Sequence, residues 1–289
     1  MIKTILVPTS GSDTDQGVFT VALALGRALA AHLDIFHVRL SMGEAALRAP
    51  HMQFCMGEAL PEALERLHRR DEQLAANASR HFVEFCAAHQ IVLRDVPVAS
   101  EQISARFLQE KDHAEARLLF HSRHSDLIVL GRPRHVDLMP PKLLETLLMG
   151  SGRPIVIAPH SPPASMTGTV VVGWKETAQA ARSLTAAMPL LCQAQRVVIV
   201  GVVEKADGVL EGLEHLAHQL AWHGIAAETR LIVDPSRPAA QLLLRAAGEL
   251  DAGLLVVGAF GHRPLQELIF GGVTQAMIDQ AELPVFIMH

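Results

Sequence analysis

Uninterrupted apolar runs alternate with amphipathic segments along the whole chain. The run "TILVP" (4–8) is followed by a segment whose apolar positions recur with the spacing of one helix face. These positions are Val18, Val21, Ala22, Leu25 and Leu29. Fully apolar strands separated by amphipathic helices are typical of parallel sheets covered on both faces. The pattern therefore predicts an α/β protein.

The same order of elements is predicted twice. In the first half the predicted strands are "TILVP", "LDIFHV" (33–38), "IVLRDVPV" (91–98) and "LIVLG" (127–131), with helices between them. In the second half the strands are "TVVVG" (169–173), "VVIVGVV" (197–203), "AAETRLIV" (226–233) and "LLVVG" (254–258), and the helices are 178–188, 209–222 and 238–249. Each half is thus expected to form a doubly wound, Rossmann-like parallel sheet.

Local similarity between the halves indicates an internal duplication. The pairs of similar segments are "KTILVPTSGS" (3–12) with "GTVVVGWKET" (168–177), "SDLIVLGRP" (125–133) with "AGLLVVGAF" (252–260), and "RPIVIAP" (153–159) with "LPVFIMH" (283–289). The segment "APHSPPASMTG" (158–168) between the halves has the composition of a linker. We predict two domains, 1–160 and 168–289, whose final short strands could pair across a pseudo-twofold axis.

The first half is the longer one, and most of its extra residues lie at 41–70. This insertion is interpreted as an elongated helix with a lead-in loop. The alternative is a lid or a surface for a partner.

Composition narrows the function classes. The chain has 289 residues, of which 49% are hydrophobic and 4% aromatic, with a formal net charge of −5. Few aromatic residues and a negative charge argue against nucleic-acid binding. The apolar start is too short for a signal-peptide core, and no apolar stretch reaches the length of a membrane span. We expect a cytoplasmic protein, with no membrane association, in which Cys55, Cys86 and Cys192 are buried, reduced thiols.

The segment "GAFGHRPLQELIFGG" (258–272) is the strongest candidate for chemistry. It begins at the carboxyl end of a predicted strand, where open parallel sheets bind ligands, and ends at the start of a predicted helix, 273–280. Glycines allow the backbone to approach a ligand closely, and a helix N-terminus attracts anions. His262 and Arg263 could add positive charge. The glycines alone fit either a phosphate cradle or a simple turn.

The spacing G-x2-G-x9-G at 258, 261 and 271, followed by a helix, Pro284 and a last strand, closely resembles the universal stress protein family. The resemblance covers nearly the whole chain, twice, so the sequence looks like a tandem universal stress protein. In that family the final strands join two domains, which implies that this single chain forms an intrachain pseudo-dimer. Further self-association, including a homodimer, is left open.

The resemblance also implies a nucleotide site in the second half. Gly173 and Lys175 stand where nucleotide-binding members have a Pro and an Asp that hold adenine and ribose. The other implied residues are Val202 against adenine, Val257 and Gly258 at the ribose and first phosphate, and Gly261, Gly271, Gly272 and Val273 at the phosphates. Arg263 is included in the predicted nucleotide site for its positive charge. Lys175 replaces a carboxylate, and Gly272 replaces a hydroxyl residue.

The first half departs further from the family pattern. Pro8 and Ser10 stand at the end of its first strand, and Gly131 matches Gly258. Arg134 and Pro141, however, occupy the places of two phosphate-loop glycines, and proline offers no N–H to an anion. Arg132, Arg134 and Lys142 could still attract an anion by charge. We expect no nucleotide site in this half.

The remaining candidates for chemistry are weaker. His121 and His124 lack a convergent set of metal ligands, so no metal site is predicted. The "TSGSD" stretch (9–13) faintly resembles the phosphate loop of ATP pyrophosphatases. No catalytic residue is identified, and at most weak ATP hydrolysis is expected.

The leading hypothesis is therefore a stress-response module that binds ATP or AMP, with Mg²⁺, and acts through ligand-coupled conformational change. The alternative is a protein-interaction or small-ligand module that binds no nucleotide.

Overall fold

The computed structural model describes residues 1–39, 59–98, 102–111, 113–132, 142–203, 209–259 and 280–289. Within these ranges the chain divides into two compact units. The N-terminal unit is Lys3–Ser151, and the C-terminal unit is Gly152–His289 together with Met1–Ile2. The α/β class and the mostly parallel sheets predicted from the hydrophobic pattern are confirmed.

The N-terminal unit contains a parallel sheet with strand order β3-β4-β2-β1-β5. Its elements are β1 (Thr4–Pro8), α1 (Asp15–Leu29), β2 (His32–Arg39), α2 (Ala59–His89), β3 (Val92–Leu93), β4 (Ser104–Lys111), α3 (Ala114–Arg123), β5 (Leu127–Leu130) and α4 (Leu143–Gly150). Helix α1 contacts α2, and α3 contacts α4.

The C-terminal unit contains a sheet with strand order β6-β11-β10-β7-β8-β9, parallel except for β6. Its elements are β6 (Ile155–Ile157), β7 (Thr169–Trp174), α5 (Ala178–Leu191), β8 (Arg196–Val203), α6 (Val209–Ala221), β9 (Ala227–Val233), α7 (Ala239–Glu249), β10 (Leu254–Gly258) and β11 (Val285–Met288). Strand order reverses between β7 and β10, and this is where such sheets bind ligands.

The predicted pairing of the two short final strands is confirmed. Ile157, Val156 and Ile155 of β6 lie opposite Val285, Phe286 and Ile287 of β11 in antiparallel register. This pairing groups β6 with the C-terminal unit, so the boundary between the units falls at residues 151 and 152.

Helix α2 accounts for the described part of the predicted insertion. It spans 31 residues and carries exposed i,i+4 ion pairs, such as Glu62–Arg66 and Glu65–Arg69. Its buried residues include Leu67, Ala75, Ala78, Phe82 and Phe85. The ring of Phe85 lies 5.3 Å from that of Phe19 on α1. The rest of the insertion, 41–58, lies outside the described residues.

One predicted strand is wrong. Residues 91–98 were expected to form a strand, but only Val92–Leu93 does so, and the long third strand is Ser104–Lys111. Asp95 and Pro97 interrupt the apolar run, because proline cannot donate to a ladder and both residues favour turns.

The three cysteines do not all fit the expectation of buried thiols. Cys86 is buried, and burial raises the pKa of its thiol to about 11. Cys192 is exposed, contrary to the prediction, because it caps the end of α5. Cys55 lies outside the described residues.

Candidate functional site

The strand ends of the C-terminal unit bring several predicted site residues together. Val257 on β10 lies opposite Gly173 on β7, and Gly173 lies opposite Val200 on β8. Val202 follows two residues later on β8, and the exposed Lys175 follows β7 directly. These residues therefore share the carboxyl edge of three adjacent strands, as parallel register requires.

The other half of the predicted site lies outside the described residues. It consists of Gly261, Arg263, Gly271, Gly272 and Val273. Their assignment to the phosphates stays a prediction from the sequence.

Gly258 packs directly against the first turn of α5. A Cβ on Gly258 would lie 2.4 Å from the backbone nitrogen of Ala180, which no side chain tolerates. The requirement for glycine here thus follows from helix–strand packing alone. The consequence for a ligand is indirect, because this packing holds a helix N-terminus at the edge where strand order reverses.

The N-terminus of α5 is well formed. Thr177 caps it in extended conformation, and its hydroxyl accepts a hydrogen bond from the Ala180 amide at 3.2 Å. The first-turn amides of a helix have no intrahelical acceptors, so Ala178 and Gln179 present donors there. This edge therefore suits an acceptor group of a ligand.

A cleft of about 490 Å³ lies between the end of β7 and helix α6. Trp174, Glu176, Glu211 and His215 line it. The indole N–H of Trp174 donates to Oε1 of Glu176 at 2.8 Å, which orients that carboxylate. The cleft is thus rich in groups that recognise hydroxyl and amino groups.

Glu176 is the residue that the sequence analysis missed. Lys175 stands at the place of the family's carboxylate, but the next residue supplies a carboxylate at the same strand end. The sequence does contain this acidic side chain, one position after the place of the family's carboxylate. A comparison of residues position by position does not detect it.

The corresponding edge of the N-terminal unit is filled by its own carboxylate. Asp15, which is 2% exposed, accepts hydrogen bonds from the amides of Ser10 and Gly11 at 3.0 and 2.9 Å. The hydroxyl of Thr9 donates to the same carboxylate, and His81 lies 3.3 Å from it. The amides of Ser10 and Gly11 in the "TSGSD" turn therefore already bind the carboxylate of Asp15.

Helix α2 covers this turn. Gly11 has a φ of +77°, and a Cβ there would lie 2.0 Å from the carbonyl oxygen of Leu74 on α2. This contact requires glycine and leaves no space above the turn at that point.

His37 is the second polar group buried near this turn. Its Nδ1–H donates to the Thr9 carbonyl at 2.9 Å, while Nε2 has no hydrogen-bond partner among the described residues. Burial lowers the pKa of His37, against the smaller effects of the Thr9 bond and of the Asp71 and Asp15 charges. The imidazole is therefore neutral at pH 7.

Of the remaining candidates of the N-terminal unit, the two histidines form local hydrogen bonds. Lys142 precedes α4 with a φ of 61°. His121 Nε2 lies 2.9 Å from Oε1 of Glu110, and His124 Nδ1–H donates to the Phe120 carbonyl. Arg134 and Pro141 lie outside the described residues.

A known family model matches most of the C-terminal unit. Residues 166–289 match the model of the universal stress protein family. No curated protein matches the sequence significantly. Among the described residues, no helix is both long and apolar enough to cross a membrane.

Solved structures resemble the whole chain. A universal stress protein from Archaeoglobus fulgidus DSM 4304 matches 99% of this chain and 97% of its own, at 14% identity and a TM-score of 0.68. A protein from Pseudomonas aeruginosa UCBPP-PA14, assigned to the same family, matches 99% of this chain and 93% of its own, at 14% identity and a TM-score of 0.59.

A universal stress protein solved in complex with cAMP matches 43% of this chain and 99% of its own, at 20% identity and a TM-score of 0.37. The family model shows a universal stress protein domain at residues 166–289, and the two full-length similarities show that the chain shares the fold of solved universal stress proteins.

Proposed function

We propose that the C-terminal unit binds an adenine nucleotide at the carboxyl edge of β7, β8 and β10, and that binding changes the conformation of the protein rather than starting a catalytic cycle. The observation that carries this proposal is the register that aligns Gly173 with Val257, next to the N-terminus of α5. The family match of residues 166–289 supports it.

Glu176 takes the role of the carboxylate that is missing at Lys175. Its side chain lines the cleft beside β7 and is oriented by Trp174. A carboxylate accepts hydrogen bonds from ribose hydroxyls or from the adenine amino group, and such charge-assisted bonds are about twice as strong as neutral ones. We therefore assign the nucleoside half of the ligand to this cleft.

The phosphates belong at the other end of the site. The first-turn amides of α5 and the predicted loop that begins at Gly258 supply donors, and the Lys175 side chain supplies a positive charge. An anion at a helix N-terminus is stabilised by both the free amides and the helix dipole.

Titration calorimetry with ATP and AMP tests the proposal. Full-length protein should bind at least one of them, and saturation at 100 times the Kd should raise the free energy of unfolding of the binding unit by about 2.7 kcal/mol. Glu176→Gln should weaken binding about tenfold or more, because it removes the charge from a charge-assisted hydrogen bond.

Glu214→Gln is the matched control. Glu214 is an exposed carboxylate on the same helix as Glu211 and does not line the cleft, so this variant should bind like the wild type. Absence of binding by either nucleotide at millimolar concentration would refute the proposal.

The acidic lining of the cleft favours a second candidate. Glu176 and Glu211 both face it, and two carboxylates repel a phosphate chain while attracting amino or hydroxyl groups. The second candidate function is a small-ligand module that binds no nucleotide. It predicts binding of adenosine or a small amine that added phosphates weaken.

A further inference from the structure

The N-terminal unit contains a cavity of about 600 Å³ at the amino ends of its strands. Thr4, His32 and Ser104, at the starts of β1, β2 and β4, form its floor, and residues 94–98 form a wall. Cavities of this volume hold small organic molecules. This end of the sheet is opposite to the carboxyl edge that carries the Asp15 cluster.

The polar groups of the floor are already hydrogen-bonded, the Thr4 hydroxyl to Asp126 and the other groups within one network. Ser104 Oγ lies 2.8 Å from Nδ1 of His32, and Nε2 of His32 lies 3.3 Å from Asp34. Arg106 donates to both oxygens of Asp34 through Nε and Nη2. Burial alone would raise the pKa of Asp34, but the bonds from His32 and Arg106 outweigh it and hold the pKa below its ordinary value. The floor is therefore fixed and internally neutralised.

Arg94 is the cation that this network does not use. Its amide bonds the Ala105 carbonyl at 3.0 Å, which anchors the backbone at the cavity wall. Arg94 is half-buried and lines the cavity, and its guanidinium has no ion-pair or hydrogen-bond partner among the described residues. A guanidinium in this setting matches the fork geometry of a carboxylate.

The other charges of the lining leave a positive balance. Lys3 donates from Nζ to the carbonyls of Leu29 and Ala30 at the end of α1. Asp95 is the remaining acidic group of the lining, and its charge acts on Arg106. Asp126 lies outside the lining, where its carboxylate accepts hydrogen bonds from the amides of Lys3 and Thr4. Within the lining, with Asp34 paired to Arg106, two cations remain against the single carboxylate of Asp95, which favours an anion in the cavity.

The wall beyond Arg94 is apolar and incompletely covered. Val96 and Val98 are 72% and 59% exposed although they line the cavity, and Pro97 lies between them. An apolar body placed against them would remove this surface from water, at roughly 25 cal/mol per Å².

We propose that this cavity binds a small organic carboxylate whose apolar body packs against Val96, Pro97 and Val98 and whose carboxylate pairs with Arg94. All its residues belong to the N-terminal unit, so it is a different site from the nucleotide site proposed above. It assigns a ligand to the half of the chain in which no nucleotide site is expected.

Titration of full-length protein with 2-naphthoate and decanoate tests the proposal, with 2-naphthamide as the uncharged analogue. At least one carboxylate should bind, and 2-naphthoate should bind more tightly than 2-naphthamide. Arg94→Gln should weaken 2-naphthoate binding about tenfold or more and leave 2-naphthamide unchanged. Val98→Asp should weaken both, since it places a charge in the apolar wall.

Arg66→Gln is the matched control, because Arg66 is an exposed arginine of the same unit that pairs with Glu62 away from the cavity. It should bind 2-naphthoate like the wild type. The circular dichroism spectrum of Arg94→Gln should match that of the wild type. Such a match shows that weaker binding comes from the changed site and not from unfolding. Failure of both carboxylates to bind at millimolar concentration, or equal affinity for 2-naphthoate and 2-naphthamide, would overturn the proposal.

Discussion

A buried imidazole makes the stability of the N-terminal unit depend on pH. His37 is 4% exposed, and burial lowers its pKa. The unfolded chain has an ordinary histidine pKa of about 6.5, so below that pH it binds a proton that the folded chain resists. The contribution of His37 is therefore fully present above about pH 6.5 and is lost as the pH falls towards the lower folded pKa.

We expect His37→Gln to reduce the loss of stability between pH 7 and pH 5, because glutamine has no proton to gain. Urea denaturation at both pH values measures this. His223→Gln, at an exposed histidine, should keep the wild-type pH dependence. An unchanged pH dependence in His37→Gln would show that His37 is not the group responsible.

The sequence predicted least well the contacts that single side chains make. The pattern "TSGSD" does not reveal that the Asp15 carboxylate turns back onto the amides of Ser10 and Gly11. It likewise does not reveal that Glu176 faces the cleft beside Lys175. Both features depend on side-chain direction and on packing from distant segments, which residue spacing does not encode.

At the scale of elements, prediction succeeded where burial was complete. The apolar strands of both halves are at their expected places, because continuous apolar runs have few alternatives. The error at 91–98 arose at the edge of the sheet, where the edge strand β3 is only two residues long, and the neighbouring strand Ser104–Lys111 carries the polar residues Gln109 and Lys111 at its exposed positions. Strands at or near a sheet edge bury less apolar surface, so their sequences show a weaker hydrophobic pattern.

The C-terminus of α2 offers a test of helix-end chemistry. Gln90 follows the helix with a φ of 55°, and the next amide, of Ile91, donates to the Cys86 carbonyl at 3.0 Å. A side chain in this left-handed conformation costs energy that glycine avoids. Gln90→Gly should therefore raise the free energy of unfolding by about 0.5–1 kcal/mol, as measured by urea denaturation.

Gln73→Gly is the control on the same helix, and it should lower the free energy of unfolding. Gln73 is exposed within α2, and glycine inside a helix costs about 1 kcal/mol. If both substitutions destabilise the protein, the left-handed helix end is not the source of strain.

At the scale of the whole molecule, the two-unit organisation was predictable from the duplication, whereas the attachment of β6 was not. The family match begins at residue 166, yet Ile155–Ile157 pairs with β11 and is at most 2% exposed. A fragment cut at the start of the family match therefore loses a strand of its own sheet.

We expect the fragment 166–289 to self-associate or aggregate more than the fragment 152–289. Loss of β6 uncovers one edge of β11 (Val285–Met288), and uncovered apolar strand edges pair with other chains. Size-exclusion chromatography with light scattering distinguishes the two. Identical monomeric behaviour of both fragments would show that β6 does not protect this edge.

The carboxylate of Asp15 has a consequence for how the two halves would respond to the cell. A turn that carries its own counter-charge needs no ligand to neutralise it. If the N-terminal half has no nucleotide site, as the sequence predicts, its stability does not depend on nucleotide concentration. Under the proposed function, only the C-terminal half gains stability with nucleotide concentration. The stability of one half would then be constant, while the stability of the other half would rise and fall with nucleotide concentration.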